Sequence, residues 1–318
     1  MPAKKVGFQV MGAPKAGFTY ALSTFQMHDT ELNVSGGDRA SGAARGTINF
    51  AEIMGNKEMI MHVGLAGLDS SYTIATSSTS QTNSVSDTQR GTISSFRTPG
   101  RGLNNIFRGQ VNGETCSTTG VSGGCTSEFS ATVRNRAIGL EGIFASGPFK
   151  LVGEYSAGDY RGSQGSNLVS YDTKTYYLEA GWFITGEKYA SSYKNGVFSS
   201  FKPNNDFDID KGQWGAIELL ARAEGYDVED ATLSGGRLQG NLSSYSTGKT
   251  NEKSSGTADS GAKTYTAGIR WILNPNVVIK GNYSYTRFDN AFAPLDVTNA
   301  TAAVKDEKLL MFRTQFMF

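Results

Sequence analysis

The chain has 318 residues, 39 of them glycine and 7 proline, and its formal net charge is only +1. This near balance of charge and the lack of a long basic run argue against a dedicated nucleic-acid-binding protein. Apolar residues make up 38% of the chain, and no stretch approaches the roughly 18 consecutive apolar residues of a membrane-spanning helix. The abundance of aromatic residues, threonine, serine and glycine is typical of strands and turns rather than helices.

Segments that alternate apolar and polar residues recur along the whole chain and predict about thirteen β-strands. In chain order they span residues 4–12, 16–27, 44–54, 59–70, 92–98, 103–111, 129–145, 149–157, 171–186, 213–226, 262–273, 277–288 and 306–318. None of these segments shows helical periodicity. We therefore expect an all-β protein that forms a single domain over residues 1–318.

Two kinds of connection alternate along the chain. Short turns are expected at 13–15, 55–58, 98–102, 146–148 and 274–276, and long polar loops at 71–91, 112–127, 158–170, 227–261 and 289–304. Short turns at one rim and long loops at the other are typical of transmembrane antiparallel β-barrels. One long segment, "KYASSYKNGVFSSFKPNNDFDIDKG", falls on the short-turn side and breaks this pattern.

The last predicted strand, "LLMFRTQFMF", shows the alternation clearly. Leu310, Phe312 and Phe316 share one face, and Arg313 and Gln315 lie on the other, because strand side chains alternate with period two. A soluble sandwich also alternates, with its apolar side inward. Several predicted strands, however, exceed ten residues, about the length that a tilted strand needs to cross a bilayer. We therefore expect a barrel whose apolar face meets lipid.

The opposite face of such a barrel lines a water-filled interior. The alternation assigns to it the basic residues Arg45, Arg97, Arg108, Lys150, Arg222, Arg270, Lys280 and Arg313, and the acidic residues Glu141, Glu154, Glu179, Glu218 and Glu224. His62 falls on the same face as a polar wall residue. An arginine donates two parallel hydrogen bonds to an oxyanion, so this set predicts a path for anions. In the alternative interpretation, the basic residues pair with the glutamates and only hydrate a wide pore.

The two cysteines lie in the polar loop "GETCSTTGVSGGCTSE". We expect a disulfide between Cys116 and Cys125 in an oxidising compartment, and two free thiols are the alternative.

Other motifs predict little chemistry. The segment "DFDID" places aspartates at alternate positions, but it lacks the Gly and Glu of an EF-hand loop, so we expect a solvated acidic loop and no metal site. The match "GVSGG" to the G-x-S-x-G nucleophile pattern lies in a polar loop without the strand and helix that this motif requires. No helix follows the glycines of "GDRASGAARG". We therefore expect neither catalytic activity nor a cofactor.

Eight segments, in order, resemble the family of phosphate-selective porins O and P. They are "YALSTFQ", "MHVGLAGL", "GLEGIFASGPFKLVGEYSAGDY", "YYLEAGWFITGEKY", "NGVFSSFKP", "GQWGAIELLARAEGYD", "AGIRWILNPNVVIKGNYSYTRFD" and "FRTQFMF". The ordered set is specific, although no single segment is diagnostic. The resemblance implies a 16-stranded barrel in the bacterial outer membrane, usually a trimer, in contact with membrane lipid and lipopolysaccharide. It also implies passage of phosphate, pyrophosphate or other small anions.

The chain departs from this family at its start, because family members carry earlier strands before the one that matches "KKVGFQVMGA". Thirteen strands would also leave the two chain ends at opposite rims, whereas a barrel of this kind has an even number; three further strands would give sixteen. The start "MPAKKVGFQV" lacks the apolar segment of a signal peptide. We therefore expect the C-terminal part of a longer porin. The alternative functions are an unselective general porin, or a structural or adhesive barrel with a plugged lumen.

Overall fold

The computed structural model describes residues 6–26, 40–76, 87–98, 105–116, 129–243, 252–293 and 303–317. Within these ranges the chain forms fifteen strands: β1 (Val6–Lys15), β2 (Phe18–Gln26), β3 (Ala40–Asn49), β4 (Met59–Thr76), β5 (Asp87–Phe96), β6 (Phe107–Cys116), β7 (Phe129–Ser146), β8 (Phe149–Gln164), β9 (Asn167–Phe183), β10 (Tyr193–Lys194), β11 (Val197–Phe198), β12 (Ala216–Gly240), β13 (Glu252–Asn274), β14 (Val277–Phe292) and β15 (Val304–Phe316). A helical turn, α1 (Phe50–Ile53), follows β3, and a 3₁₀ turn (Tyr189–Ser192) precedes β10. Among the described residues, no helix is long and apolar enough to cross a membrane.

Thirteen strands join in one antiparallel sheet, and β10 and β11 form a separate hairpin. Each of the thirteen predicted strands has its counterpart in this sheet, so the predicted all-β antiparallel fold is confirmed. Strand β3 is the clearest boundary error, because it ends at Asn49 and the helical turn α1 follows.

The arrangement of the strands differs from the prediction. The hydrogen-bonded path β1-β2-β3-β4-β7-β8-β9-β12-β13-β14-β15 contains eleven strands and brings β4 next to β7. Strands β5 and β6 leave this wall as a hairpin, which we call the inner hairpin, and β6 pairs with residues 236–240 of β12. Three further strands would therefore give this wall fourteen strands and not the predicted sixteen. Within the described residues, β1 and β15 do not pair with each other.

Two of the predicted long loops are largely strand. Strands β8 and β9 are joined by a two-residue turn at 165–166, and β12 and β13 together occupy most of residues 227–261. With 25 residues at about 3.3 Å each, β12 is far longer than the roughly 30 Å hydrocarbon core of a bilayer. Beyond that core the outer face of a strand meets water and becomes polar, so the sequence reads as a polar loop, although inward residues such as Val228 and Leu238 are buried with the inner hairpin.

The two faces of the wall differ sharply in chemistry. The outer face, defined by Leu65, Leu140, Ile269, Leu310 and Phe312, leaves these side chains between 46% and 77% exposed. The opposite face, called the inner face, carries the charged residues described below. Side chains from β4 to β15 line a single cavity, so the sheet curves around it. The apolar face predicted for the last strand is confirmed.

Two buried clusters hold inward-folded elements against the wall. One joins the inner hairpin to inward-facing residues of the wall strands and includes Phe107, Tyr171, Tyr226 and Phe288. The other contains Phe183, Tyr189, Phe201 and Ile272. It lies near the rim at which β1–β2, β7–β8 and β13–β14 are joined by two-residue turns, which we call the short-turn rim.

Candidate functional site

The inner face carries its charges in lateral rows, because residues in register lie side by side on neighbouring strands. The acidic row runs through Gly64, Glu141, Glu154, Tyr177, Glu224, Thr264, Thr286 and Glu307. The basic row runs through Glu218, Arg270, Lys280 and Arg313. Glu218 and Glu224 lie six residues apart on β12, about 20 Å along the strand, and Glu218 is nearer to the short-turn rim.

Carboxylates of the acidic row and its neighbours hold several predicted basic residues. Arg45 binds Glu141 through Nη2 at 2.5 Å and Nε at 3.1 Å. Arg222 contacts Glu224 at 2.6 Å, and its guanidinium lies 3.8 Å from the centre of the Tyr177 ring. The predicted pairing of basic residues with glutamates is therefore present for this part of the set.

The basic row is less balanced. The Glu218 side chain is fully buried and faces Arg270, with Nε and Oε2 at 2.5 Å. These two atoms are not aligned for a hydrogen bond, so the contact is chiefly coulombic. Lys150 lies between Glu179 at 2.8 Å and Glu218 at 3.3 Å.

Lys280 and Arg313 are the unbalanced members of the basic row. The register places Lys280 directly between Arg270 and Arg313. Neither Lys280 nor Arg313 has an acidic partner within ion-pair distance among the described residues. With one carboxylate and three cations, the basic row carries a net charge of +2.

Residues 184–215 form the segment that broke the predicted loop pattern, and part of it folds onto the inner face; we call it the re-entrant segment. Strands β10 and β11 are joined by Asn195 and Gly196, whose φ angles are +51° and +80°. Two successive residues with positive φ are typical of a type I′ turn, for which Asn-Gly is the favoured pair. The dipeptide in "KNGV" was therefore the available signal for a hairpin that the alternation did not predict.

Two tyrosines fix the re-entrant segment to the wall. The Tyr189 hydroxyl donates to Glu218 at 2.6 Å, and the Tyr193 hydroxyl lies 2.5 Å from Nδ1 of His62. Burial, followed by the hydrogen bond to Glu218, raises the pKa of Tyr189, and burial raises the pKa of Tyr193 to about 12. Both phenols therefore keep their protons at neutral pH.

His62 and Arg45 connect the tip of the hairpin to the acidic row. The His62 side chain has no exposed surface, and its Nε2 lies 2.8 Å from Glu141. A carboxylate can only accept, so Nε2 donates to Glu141, and Nδ1 shares a hydrogen bond with the Tyr193 hydroxyl. Arg45, which binds the same carboxylate, also donates to the carbonyl oxygen of Gly196 at 3.1 Å. The sequence predicted His62 as a plain polar wall residue and did not predict this contact.

The inner hairpin also packs inside the wall. Phe96 stacks on Phe107 with ring centres 5.6 Å apart, and Thr98 donates to Glu307 on β15 at 3.3 Å. Between the hairpin and the wall lies a cavity of about 870 Å³. Its charged lining residues are Arg97, Glu141, Glu154, Glu179, Arg222 and Glu224, so acidic groups prevail at this level.

The eight predicted anion-path residues thus occupy two kinds of position. Arg45, Lys150, Arg222, Arg270, Lys280 and Arg313 lie on the inner face of wall strands. Arg97 and Arg108 were also assigned to wall strands, and this placement is wrong. Arg97 follows β5 and lines the cavity, whereas Arg108 pairs in register with Gln239 of β12. Alternation cannot distinguish a wall strand from an inward-folded strand, because both bury one side.

The predicted disulfide cannot be placed on this framework. Cys116 ends β6, and Cys125 lies outside the described residues, so the pairing stays a prediction.

In the acidic loop "DFDID", Asp208 accepts hydrogen bonds from the backbone N–H groups of Asp210 and Lys211 and from the Lys211 ammonium. The described residues contain no group of three or more potential metal ligands.

An antiparallel wall with an apolar outer face and a charged, constricted interior defines a barrel of the porin class. Comparison with known proteins is specific on this point. The family model described as phosphate-selective porin O and P matches residues 124–318, more than half of the chain. The chain therefore belongs to this family of outer-membrane porins, and its location is the outer membrane.

One curated relative is Porin O of Pseudomonas aeruginosa, which is 26% identical over 151 residues. The match covers 48% of this chain and 30% of Porin O. The chain thus matches less than a third of the length of that relative. The resemblance of segments before residue 124 stays a prediction based on the quoted sequence.

Proposed function

We propose that this chain forms an outer-membrane channel through which small anions, including phosphate and polyphosphate, diffuse passively. The observation that carries this proposal is the pair Lys280 and Arg313 in the basic row. Both point to the interior, and neither is neutralised by a carboxylate among the described residues. Free ammonium and guanidinium groups side by side are suited to an oxyanion with several acceptor oxygens. The described phosphate selectivity of the family points in the same direction.

The acidic lining of the cavity opposes this selectivity. Glu154 and Glu224 lie in register on either side of Tyr177, with the Tyr177 hydroxyl donating to Glu154 at 2.7 Å. Salt in the pore screens the charges of each row over about 8–10 Å, which is less than the separation of about 20 Å between the acidic and the basic row. An anion therefore meets a favourable field at the basic row and a weaker or opposing one at the cavity.

Reversal potentials in planar bilayers test the proposal. With the purified protein between unequal KCl solutions, we expect preference for chloride, strongest at low ionic strength, and a smaller chloride current after phosphate is added. Equal permeability would indicate an unselective general porin. Cation preference would mean that the glutamates dominate the field, and the anion proposal would be abandoned while the porin assignment remained.

A structural barrel with a plugged lumen is the second candidate. The observation that favours it is the occupation of the interior by both the inner hairpin and the re-entrant segment. Insertion into bilayers without conductance steps would favour this scaffold role over a channel.

A further inference from the structure

After Phe201, the re-entrant segment leaves the inner face and passes around the short-turn rim to the outside of the wall. The Phe207 backbone N–H donates to the carbonyl of Leu273 at 2.6 Å, and the Phe207 ring packs on Trp271 with centres 5.4 Å apart. Trp271 belongs to the outer face, because it lies two residues from Ile269 on β13. Residues 207–214, which we call the rim turn, are therefore docked on the outside of the barrel.

The rim turn is internally tied. Asp208 and Gln213 exchange two backbone hydrogen bonds of 3.0 and 2.9 Å, and the Asp208 carboxylate binds the Lys211 ammonium at 2.5 Å. Trp214 is joined to the wall through its carbonyl oxygen, which accepts from Nε1 of Trp271 at 2.6 Å. The turn is thus a defined structure with a fixed position on the outer face.

This turn nevertheless displays large apolar groups to its surroundings. Ile209 is 76% exposed and Trp214 is 59% exposed. On the same rim, Trp182 is 45% exposed and stacks on Phe149 with ring centres 5.8 Å apart. The chain has three tryptophans, and all three, Trp182, Trp214 and Trp271, lie on the outside at this rim.

We propose that the rim turn is a lipid-interface anchor that seats Ile209 and Trp214 among the headgroups and upper acyl chains of the leaflet at the short-turn rim. The apolar band of the outer face is continuous with the turn through Trp271 and Ile269. Lipid that surrounds the band therefore also contacts the turn. Tryptophan is favoured at this depth because its ring is apolar and its N–H is polar. The charged Asp208, Asp210 and Lys211 lie in the same turn, as expected at the level of phospholipid headgroups.

Depth-dependent quenching by brominated phospholipids tests the proposal in proteoliposomes. The double variant W182F/W271F leaves Trp214 as the reporter and keeps an aromatic ring at each replaced site. It removes the Nε1 donor of Trp271, but the backbone hydrogen bond from Phe207 to Leu273 still ties the turn to the wall. We expect Trp214 to be quenched most by lipids brominated near the headgroup end of the acyl chain and little by aqueous iodide. The matched variant W214F/W271F reports Trp182, which lies on a wall strand and calibrates the interface.

Two further variants separate anchoring from simple proximity to the wall. Ile209→Asn should reduce the quenching of Trp214 by brominated lipid, whereas Ile209→Leu should preserve it. Strong iodide quenching without lipid quenching would place the turn in water and overturn the proposal. Protection from both quenchers, lost on dilution of the protein in lipid, would show that a second copy of the chain covers the turn, and would also overturn it. These readouts need no conductance, so they are independent of the proposed channel activity.

Discussion

The Tyr189 hydroxyl donates a 2.6 Å hydrogen bond to the fully buried carboxylate of Glu218. This contact links the start of the re-entrant segment to the basic row on the wall. Lys150 and Arg270 approach the same carboxylate from the wall at 3.3 and 2.5 Å. Glu218 therefore both neutralises part of the positive charge of the basic row and holds the re-entrant segment in place.

Replacing this tyrosine tests the contact. Tyr189→Phe removes a hydrogen bond to a charged group, a contribution of about 1.5–3 kcal/mol. We expect larger current fluctuations in single-channel recordings, because the re-entrant segment loses a fixed point in the lumen. Tyr177→Phe is the matched control, since its hydroxyl donates to Glu154 within the wall. Equal noise in both variants would contradict a role for Tyr189 in holding the segment.

The hairpin tip offers a second test at Gly196. A Cβ at this position would lie 3.0 Å from the Thr19 hydroxyl oxygen and 3.1 Å from that of Thr47, at a φ of +80°. Gly196→Ala should therefore displace the tip from Arg45 and raise the single-channel conductance. Gly55→Ala is the control, because Gly55 has a φ of +75° and no neighbour within 4 Å of its Cβ. Gly55→Ala has the same backbone cost of about 1–2 kcal/mol without the steric contact. An equal conductance change in this control would contradict the claim that displacement of the hairpin tip causes the change in Gly196→Ala.

Neutralising the free members of the basic row should weaken phosphate block. For the double variant K280Q/R313Q we expect the blocking phosphate concentration to rise about tenfold, equivalent to about 1.4 kcal/mol. Arg161→Gln is the control, because Arg161 lies on the outer face with a side chain 68% exposed. Titration of chloride current with phosphate measures the effect. Unchanged block in the double variant would place the anion site elsewhere.

The predicted disulfide between Cys116 and Cys125 is tested by mass. We expect the intact native protein to resist alkylation and to take up two alkyl groups only after reduction. Alkylation of both thiols in the unreduced protein would show that the bridge is absent.

Acid should loosen the rim turn. The Lys211 ammonium, aided by backbone N–H groups of the turn, holds the pKa of the Asp208 carboxyl below its usual value. A group whose pKa is lowered by folding contributes stability above its unfolded pKa of about 3.9, and that contribution is lost as the pH falls through the folded value. Trp214 emission in W182F/W271F should therefore shift below about pH 4. The same variant carrying Asp208→Asn should lose this pH dependence, and an identical shift in both would contradict the assignment.

The alternation of side chains was sufficient to predict the strands and to assign an apolar and a polar face to them. All thirteen predicted strands are present, and the apolar stripe of Leu310, Phe312 and Phe316 faces outward as expected, because period two follows directly from strand geometry. The same pattern placed Arg270, Lys280 and Arg313 on one face. It also predicted polar loops at 158–170 and 227–261, where strands continue beyond the apolar band and their outer face becomes polar.

Only the tertiary structure decided which elements fold into the interior. Strands β5 and β6 alternate like wall strands, yet β4 pairs directly with β7 and the hairpin packs inside. Pairing between β4 and β7 is a contact between distant parts of the chain, which local periodicity does not encode. The same holds for the meeting of Tyr189 with Glu218 and of Tyr193 with His62. A buried carboxylate needs donors, and the folded chain alone determines which residues supply them.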